Sequence, residues 1–165
     1  MAATLTVENP RVVSGDPLER YTGLIANGAS WKAGQFLNKD ASGYLTTVAT
    51  DDDAGTGGGI KYQALTDQSD PGDATTEATV GIITPDTEFE GNELDGTVSQ
   101  LNEGNNYAVD VTNNIVTVDV GDASNPAVRI TKVGPSFNPA LYASDDIKAK
   151  LRFKVLNTVI DTANA

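Results

Sequence analysis

Cysteine and histidine are both missing from this 165-residue chain. Without cysteine there is neither a disulfide framework nor a thiolate site. Without histidine the commonest general base, the imidazole metal ligand and every histidine-based triad disappear together. Enzymatic chemistry would then rest on carboxylates or on Ser/Lys pairs, so a non-enzymatic protein without a cofactor is expected. Methionine and tryptophan occur once each and phenylalanine four times, which leaves Val, Ile, Leu and Tyr to fill most of the interior. No run approaches the roughly 18 apolar residues of a membrane-spanning helix. Residues 1–10 lack the basic stretch and apolar core of a secretory signal. A soluble protein made in a cytosol, with no membrane partner, is the expectation.

Charge is present in quantity but unevenly. Of 23 acids, 17 fall between Asp40 and Val128, where Lys61 is the single base. The flanks reverse the sign: residues 1–39 hold four bases against three acids, and residues 129–165 hold six against three. The middle is therefore −16 and the flanks +1 and +3, which sums to the net −12. Such a field governs how a protein meets water and partners rather than how it folds. Phosphate contacts need clustered bases, so direct nucleic-acid binding is not expected.

Thr and Val are frequent and long Ala/Leu/Glu/Lys runs are absent, which favours strands. Residues 1–23 read as an extended arm, in which Pro10 restricts the chain to an edge strand or to a path over another surface. Residues 31–37 and 43–48 predict a hairpin across a loop at 38–42. Strands follow at 60–65 and 78–83, while Phe89, among Glu88, Glu90, Glu93 and Asp95, suggests a loop or an edge. Residues 107–111 and 115–119 flank Thr112-Asn113-Asn114 and form the clearest hairpin. Residues 127–133 alternate and end at Gly134-Pro135. One short helix is predicted from Ser144 to Lys150, with Ser144 as cap and Asp145 and Asp146 in its first turn. In the last strand Lys150, Arg152 and Lys154 alternate with Leu151, Phe153 and Val155. The expectation is an all-β fold: a small antiparallel barrel or sandwich over 24–165 with long acidic loops, an extended arm at 1–23 and at most one short helix.

Several clusters invite chemistry. Asp51, Asp52 and Asp53, with Asp67, Asp70 and Asp73, could offer oxygen ligands to Ca²⁺, but the spacing is not that of an EF-hand, and solvated acidic loops are the simpler reading. Glu88, Glu90, Glu93 and Asp95 contain carboxylate pairs of the kind glycosidases use, yet without a sugar-stacking platform they read as an acidic surface. The glycines of 55–59 lack the Gly-Lys-Ser/Thr ending of a phosphate loop. The row Lys150, Arg152 and Lys154 is the one concentrated cationic feature. It is either a binding strip or a set of charges guarding a strand edge.

Ala29-Ser30-Trp31-Lys32-Ala33-Gly34-Gln35-Phe36-Leu37, then Asp40-Ala41-Ser42-Gly43-Tyr44-Leu45, and later Val80-Gly81-Ile82-Ile83, carry a likeness. Over residues 24–84 the chain resembles the head decoration, or capsid cement, proteins of tailed bacteriophages. Residues 85–165 match in style alone: acidic, rich in Gly and Thr, without Cys or His. The resemblance implies a virion protein on the outer capsid surface. It would act as a homotrimer or homodimer that bridges neighbouring major capsid subunits. It further implies that terminal arms add a strand to a neighbour, for which Leu5, Val7, Arg11 and Val12 of the arm and Lys150, Arg152 and Lys154 of the last strand are the candidates. The alternative is a receptor- or carbohydrate-binding module of a fibre or adhesin, which would present exposed aromatic rings.

Overall fold

The computed structural model describes residues 5–15, 18–50, 58–94, 98–137 and 148–164. The strands are β1 (Arg11–Ser14), β2 (Arg20–Leu24), β3 (Phe36–Lys39), β4 (Leu45–Thr47), β5 (Tyr62–Ala64), β6 (Glu77–Ile82), β7 (Glu88–Asn92), β8 (Asn106–Thr112), β9 (Ile115–Asp119), β10 (Val128–Val133) and β11 (Lys150–Val155). The helices are α1 (Gly134–Phe137) and α2 (Asn157–Asn164). The strands make two antiparallel sheets, one of six in the order β1-β7-β11-β10-β8-β9 and one of five in the order β2-β6-β5-β3-β4. The ends of the five-stranded sheet touch through a single bridge, Ile25–Leu45, and Glu93 bridges to Val118 of β9. Neither sheet has a continuous ladder closing it into a barrel, so the arrangement is sandwich-like.

Strand alternation decides which side chains each sheet buries. On β3, Phe36 points into the larger core and Leu37 into the smaller. Phe36 meets Phe89 edge-on, with ring centroids 5.0 Å apart, and Phe153 at 6.2 Å. That aromatic triangle joins the two sheets, and burial of each ring contributes about 2–3 kcal/mol. The smaller core gathers Ile25, Trp31, Leu37, Leu45, Tyr62 and Val80 within the five-stranded sheet.

The predicted hairpin at 107–119 is present. Asn113 and Asn114 take φ of 52° and 62°, the left-handed pair that a two-residue turn requires. The earlier hairpin is displaced. Trp31 makes an isolated bridge to Gln68, the ladder begins at Phe36, and Asn38 and Lys39, expected in the loop, belong to β3. Gly34 causes the break. Its φ is +87° and a β-carbon there would lie 2.8 Å from the Asn9 side chain, so only glycine fits beside the arm.

Two expectations fail. Phe89 lies on an interior strand of the six-stranded sheet, paired on both sides by β1 and β11, and not in a loop or edge. The core takes its ring while neighbouring strands bring bases to its flanking acids. The described residues also include two short α-helices instead of at most one, besides a 3₁₀ turn at Gln100–Asn102. Pro135 suits the first turn of α1 because its missing N–H has no partner to lose there. In α2, Val159 and Ile160 enter the larger core with Leu156 packed against it, the three- and four-residue spacing of a helix face. Of the helix expected at 144–150, residues 144–147 lie outside the described residues and Lys150 begins β11. The Asp51–Asp53 cluster and Asp95 also lie outside them.

Candidate partner-binding surface

The cationic row exists and faces one way. Along β11, Leu151, Phe153 and Val155 are buried while Lys150, Arg152 and Lys154 are half-buried on the opposite face. Register then sets charge against charge. Arg152 lies opposite Glu90 and Lys154 opposite Glu88, with Lys150 opposite Asn92. On the other side of β7, Arg11 of β1 also pairs with Glu90. One transverse row therefore reads Arg11–Glu90–Arg152 across three strands.

Glu90 is buried, with its side chain only 6% exposed, between two guanidinium groups. Its Oε1 accepts from Arg11 Nη2 at 3.2 Å, and its Oε2 lies 3.6 Å from Arg152 Nε. Arg152 also stacks on the Phe137 ring of α1, 4.3 Å from its centroid. Lys150 Nζ donates to Asn92 Oδ1 at 3.0 Å and lies 3.6 Å from Glu8. The Thr131 hydroxyl donates to Glu88 Oε2 at 2.6 Å. Lys154 makes no ion pair among the described residues. The acidic surface expected at 88–93 is thus corrected: Glu90 and Glu93 are buried, because the Arg11 and Arg152 guanidinium groups and the Lys148 amide replace water around them.

The other arm candidates are held nearby. Leu5 and Val7 are half-buried, Val12 packs against the larger core, and Arg11 remains two-thirds exposed at its side chain. Two asparagines anchor the arm without a ladder. Asn92 Oδ1 accepts from Glu8 N–H at 3.1 Å, and its Nδ2 donates to the carbonyls of Thr6 and Lys148 at 3.2 and 2.6 Å. Asn9 Oδ1 accepts from Val116 N–H at 2.8 Å, and its Nδ2 donates to the Asn114 carbonyl at 2.9 Å. Gln63 reaches the Pro10 carbonyl at 2.7 Å. Sequence reading missed these amides, since a lone Asn or Gln carries no spacing signal.

The exposed acids behave differently. Asp40 accepts from the N–H groups of Ser42 and Tyr44, each at 2.9 Å. Asp70 accepts from Gly28 and Gly72, each at 2.9 Å, and Asp67 from Ala33 at 2.8 Å. Asp119 and Asp122 hold Gly121 and Ser124 in the same manner. Hydrogen bonds from the Thr75 N–H and hydroxyl keep the Asp73 carboxyl below the ordinary carboxylate range. Among the described residues no group of three acids gathers to hold a metal.

At the end of the smaller core, Lys39 Nζ lies 4.3 Å from the Tyr21 ring centroid, and Tyr21 stacks on Tyr62 at 5.0 Å. The hydrogen bond with Tyr21 raises the Lys39 ammonium above its usual range, against desolvation and with help from Tyr62. Trp31, the residue a sugar site would need exposed, is buried. Against family models, curated proteins and solved structures, no match to this chain is found.

Proposed function

We propose that the protein is a non-enzymatic structural component of a tailed-bacteriophage virion. In this reading it binds the outer surface of the capsid as a homo-oligomer, a trimer in the first instance, and stabilises the head by bridging major capsid subunits. The observation that carries the reading is the open edge of β1. Among the described residues this strand ends the six-stranded sheet with β7 as its single ladder partner, and its Arg11 is largely exposed. An extended segment of a neighbour can add to such an edge. The disposition of charge supports the same orientation. Lys150 and Arg152 turn toward acids within the fold, whereas the exposed aspartates fix the turns, so an anionic exterior faces solvent and the β1 edge faces the shell.

Co-sedimentation with expanded heads tests this. Saturable binding by a trimer, lowered by deletion of residues 1–13 and by Arg11→Ala, is the expected result. Arg11 also pairs with the buried Glu90, so the melting temperature of the point variant, read alongside, separates lost contact from lost folding. A monomer that stays in the supernatant would overturn the proposal. A second reading, a receptor- or carbohydrate-binding module, would have to use the shallow polar cleft of Lys32, Asp67, Gln68 and Asp70, since Trp31 beside it is buried. Glycan binding without head binding would select it.

A further inference from the structure

Asn27-Gly28 is the single Asn-Gly step in the chain. It forms the centre of a tight turn: the Ala29 N–H donates to the Ala26 carbonyl at 3.1 Å, and Gly28 holds φ of +89°. Glycine supplies the positive φ that such a turn needs at its third position. Both residues are exposed, and no atom lies within 4 Å of the place that a Gly28 β-carbon would take. The missing β-carbon has a chemical consequence besides the conformational one. It leaves the Gly28 nitrogen open to the Asn27 side chain.

An asparagine followed by glycine is especially prone to lose its side-chain amide without any enzyme. The Gly28 nitrogen gives up its proton and bonds to Asn27 Cγ, closing a five-membered ring. The Cγ–Nδ2 bond breaks, and Nδ2 takes up a proton and leaves as ammonia. Water then opens the succinimide at either of its carbonyls. One opening gives aspartate, and the other gives isoaspartate, whose main chain runs through the former side chain. Water is the one co-reactant, and no electrons change hands. The reaction therefore depends on how readily the Gly28 nitrogen gives up its proton.

The fold acts on that nitrogen directly. The Gly28 N–H donates to Asp70 Oδ1 at 2.9 Å, and the same oxygen accepts from Gly72. A hydrogen bond to a carboxylate is charge-assisted, and the adjacent negative charge opposes formation of an amide anion. Asp70 is brought there by two docked loops. Trp31 and Gln68 exchange two backbone hydrogen bonds, each of 2.9 Å, and the Ala33 N–H donates to Asp67 Oδ1 at 2.8 Å. We propose that Asn27 is a site of spontaneous deamidation and that Asp70 sets its rate by holding the Gly28 amide. While the loops stay docked the asparagine persists, and each local opening exposes it to ring closure. The product carries one further negative charge in the turn that leads to Trp31. The exposed Asn113-Asn114 turn, with φ of 52° and 62°, is an internal reference, because the β-carbon of Asn114 hinders the same attack.

Incubation of the full chain at mildly alkaline pH, followed by peptide mapping and mass spectrometry, tests this. The exchange of amide for carboxyl is expected at Asn27 before Asn113. In the folded protein it should run at least about tenfold more slowly than in the same chain unfolded in urea. Asp70→Ala speeds the folded-state reaction roughly five- to tenfold. Asp70→Asn keeps an acceptor oxygen without the charge and falls between. It adds no second site, because the next residue, Pro71, has no N–H with which to close a ring. Asp67→Ala loosens the same pair of loops without touching Gly28 and has a smaller effect. Melting temperatures of all three variants, read alongside, show that the reaction is followed in folded protein. Reaction of the native protein at the urea rate, or earlier at Asn113, overturns the proposal. An Asp70→Ala rate equal to that of the native chain or of Asp67→Ala overturns it as well.

Discussion

The carboxylates around β7 and those of the surface turns are the same functional group in two environments, and they do different work. Glu90 is enclosed between Arg11 and Arg152, and Glu93 is fully buried with one oxygen on the Lys148 amide. Asp40, Asp67, Asp70 and Asp73 stay near solvent and accept backbone N–H groups within their own loops or from a neighbouring one. The longer Glu side chain spans strands, while the shorter Asp side chain reaches a nearby amide. A net charge of −12 therefore combines internal clamps with turn-forming groups, and only the second class shapes what a partner meets.

Predictions follow the depth of each group. The largest effect belongs to Asn92→Ala. Asn92 is fully buried and binds Glu8, Thr6, Lys148 and Lys150, so its truncation strands four partners and costs about 3 kcal/mol. Calorimetry should register a fall of roughly 10 °C in melting temperature. At a surface turn, Asp40→Ala removes two amide bonds that water can partly replace, and about 1 kcal/mol is expected in a denaturant titration. A larger loss at Asp40 than at Asn92 would break the comparison.

Titration gives the smallest effects, and opposite signs at its two ends. Asp73 is shifted below its ordinary value of 3.8. Its contribution is complete above that pH and is lost as pH falls through the folded-state value. Asp73→Asn should therefore lower stability slightly at neutral pH, where the contribution is complete, and flatten part of the acid limb of the profile, where the native group loses it anyway. Lys39 is shifted above 10.5. Its contribution is present below that pH and disappears as pH rises through the folded-state value. Lys39→Met should blunt the alkaline limb. An acid limb unchanged by Asp73→Asn would show that the turn bonds do not stabilise the charged form.

The parts of the fold legible in the sequence were those with local signals. The Asn113-Asn114 turn placed β8 and β9, and the alternation of 150–155 placed β11 with the correct face inward. β7 was not legible alone, because Glu88-Phe89-Glu90 reads as surface until its partner strand is known. The signal lay in a pair of patterns: acids alternating at 88 and 90 face bases alternating at 152 and 154, some sixty residues away. α2 was hidden for a different reason. The strand period of β11 runs up to Leu156, where the helical spacing to Val159 and Ile160 begins. At the candidate surface, the cationic row was readable, but its pairing with Glu90 and Asn92 depends on sheet order. Lys148 carried no linear signal, since its left-handed backbone exists only in the folded chain.

The central claim is that Lys150 and Arg152 of β11 secure the six-stranded sheet from within. A double-mutant cycle on Glu90→Gln and Arg152→Gln, followed by denaturant unfolding at neutral pH and low salt, tests it most directly. A coupling energy of about 1–3 kcal/mol is predicted for this cross-strand pair, in which Glu90 is buried and Arg152 half-buried. Additive effects, within about 0.3 kcal/mol, would contradict it and return Arg152 to the solvent-facing strip.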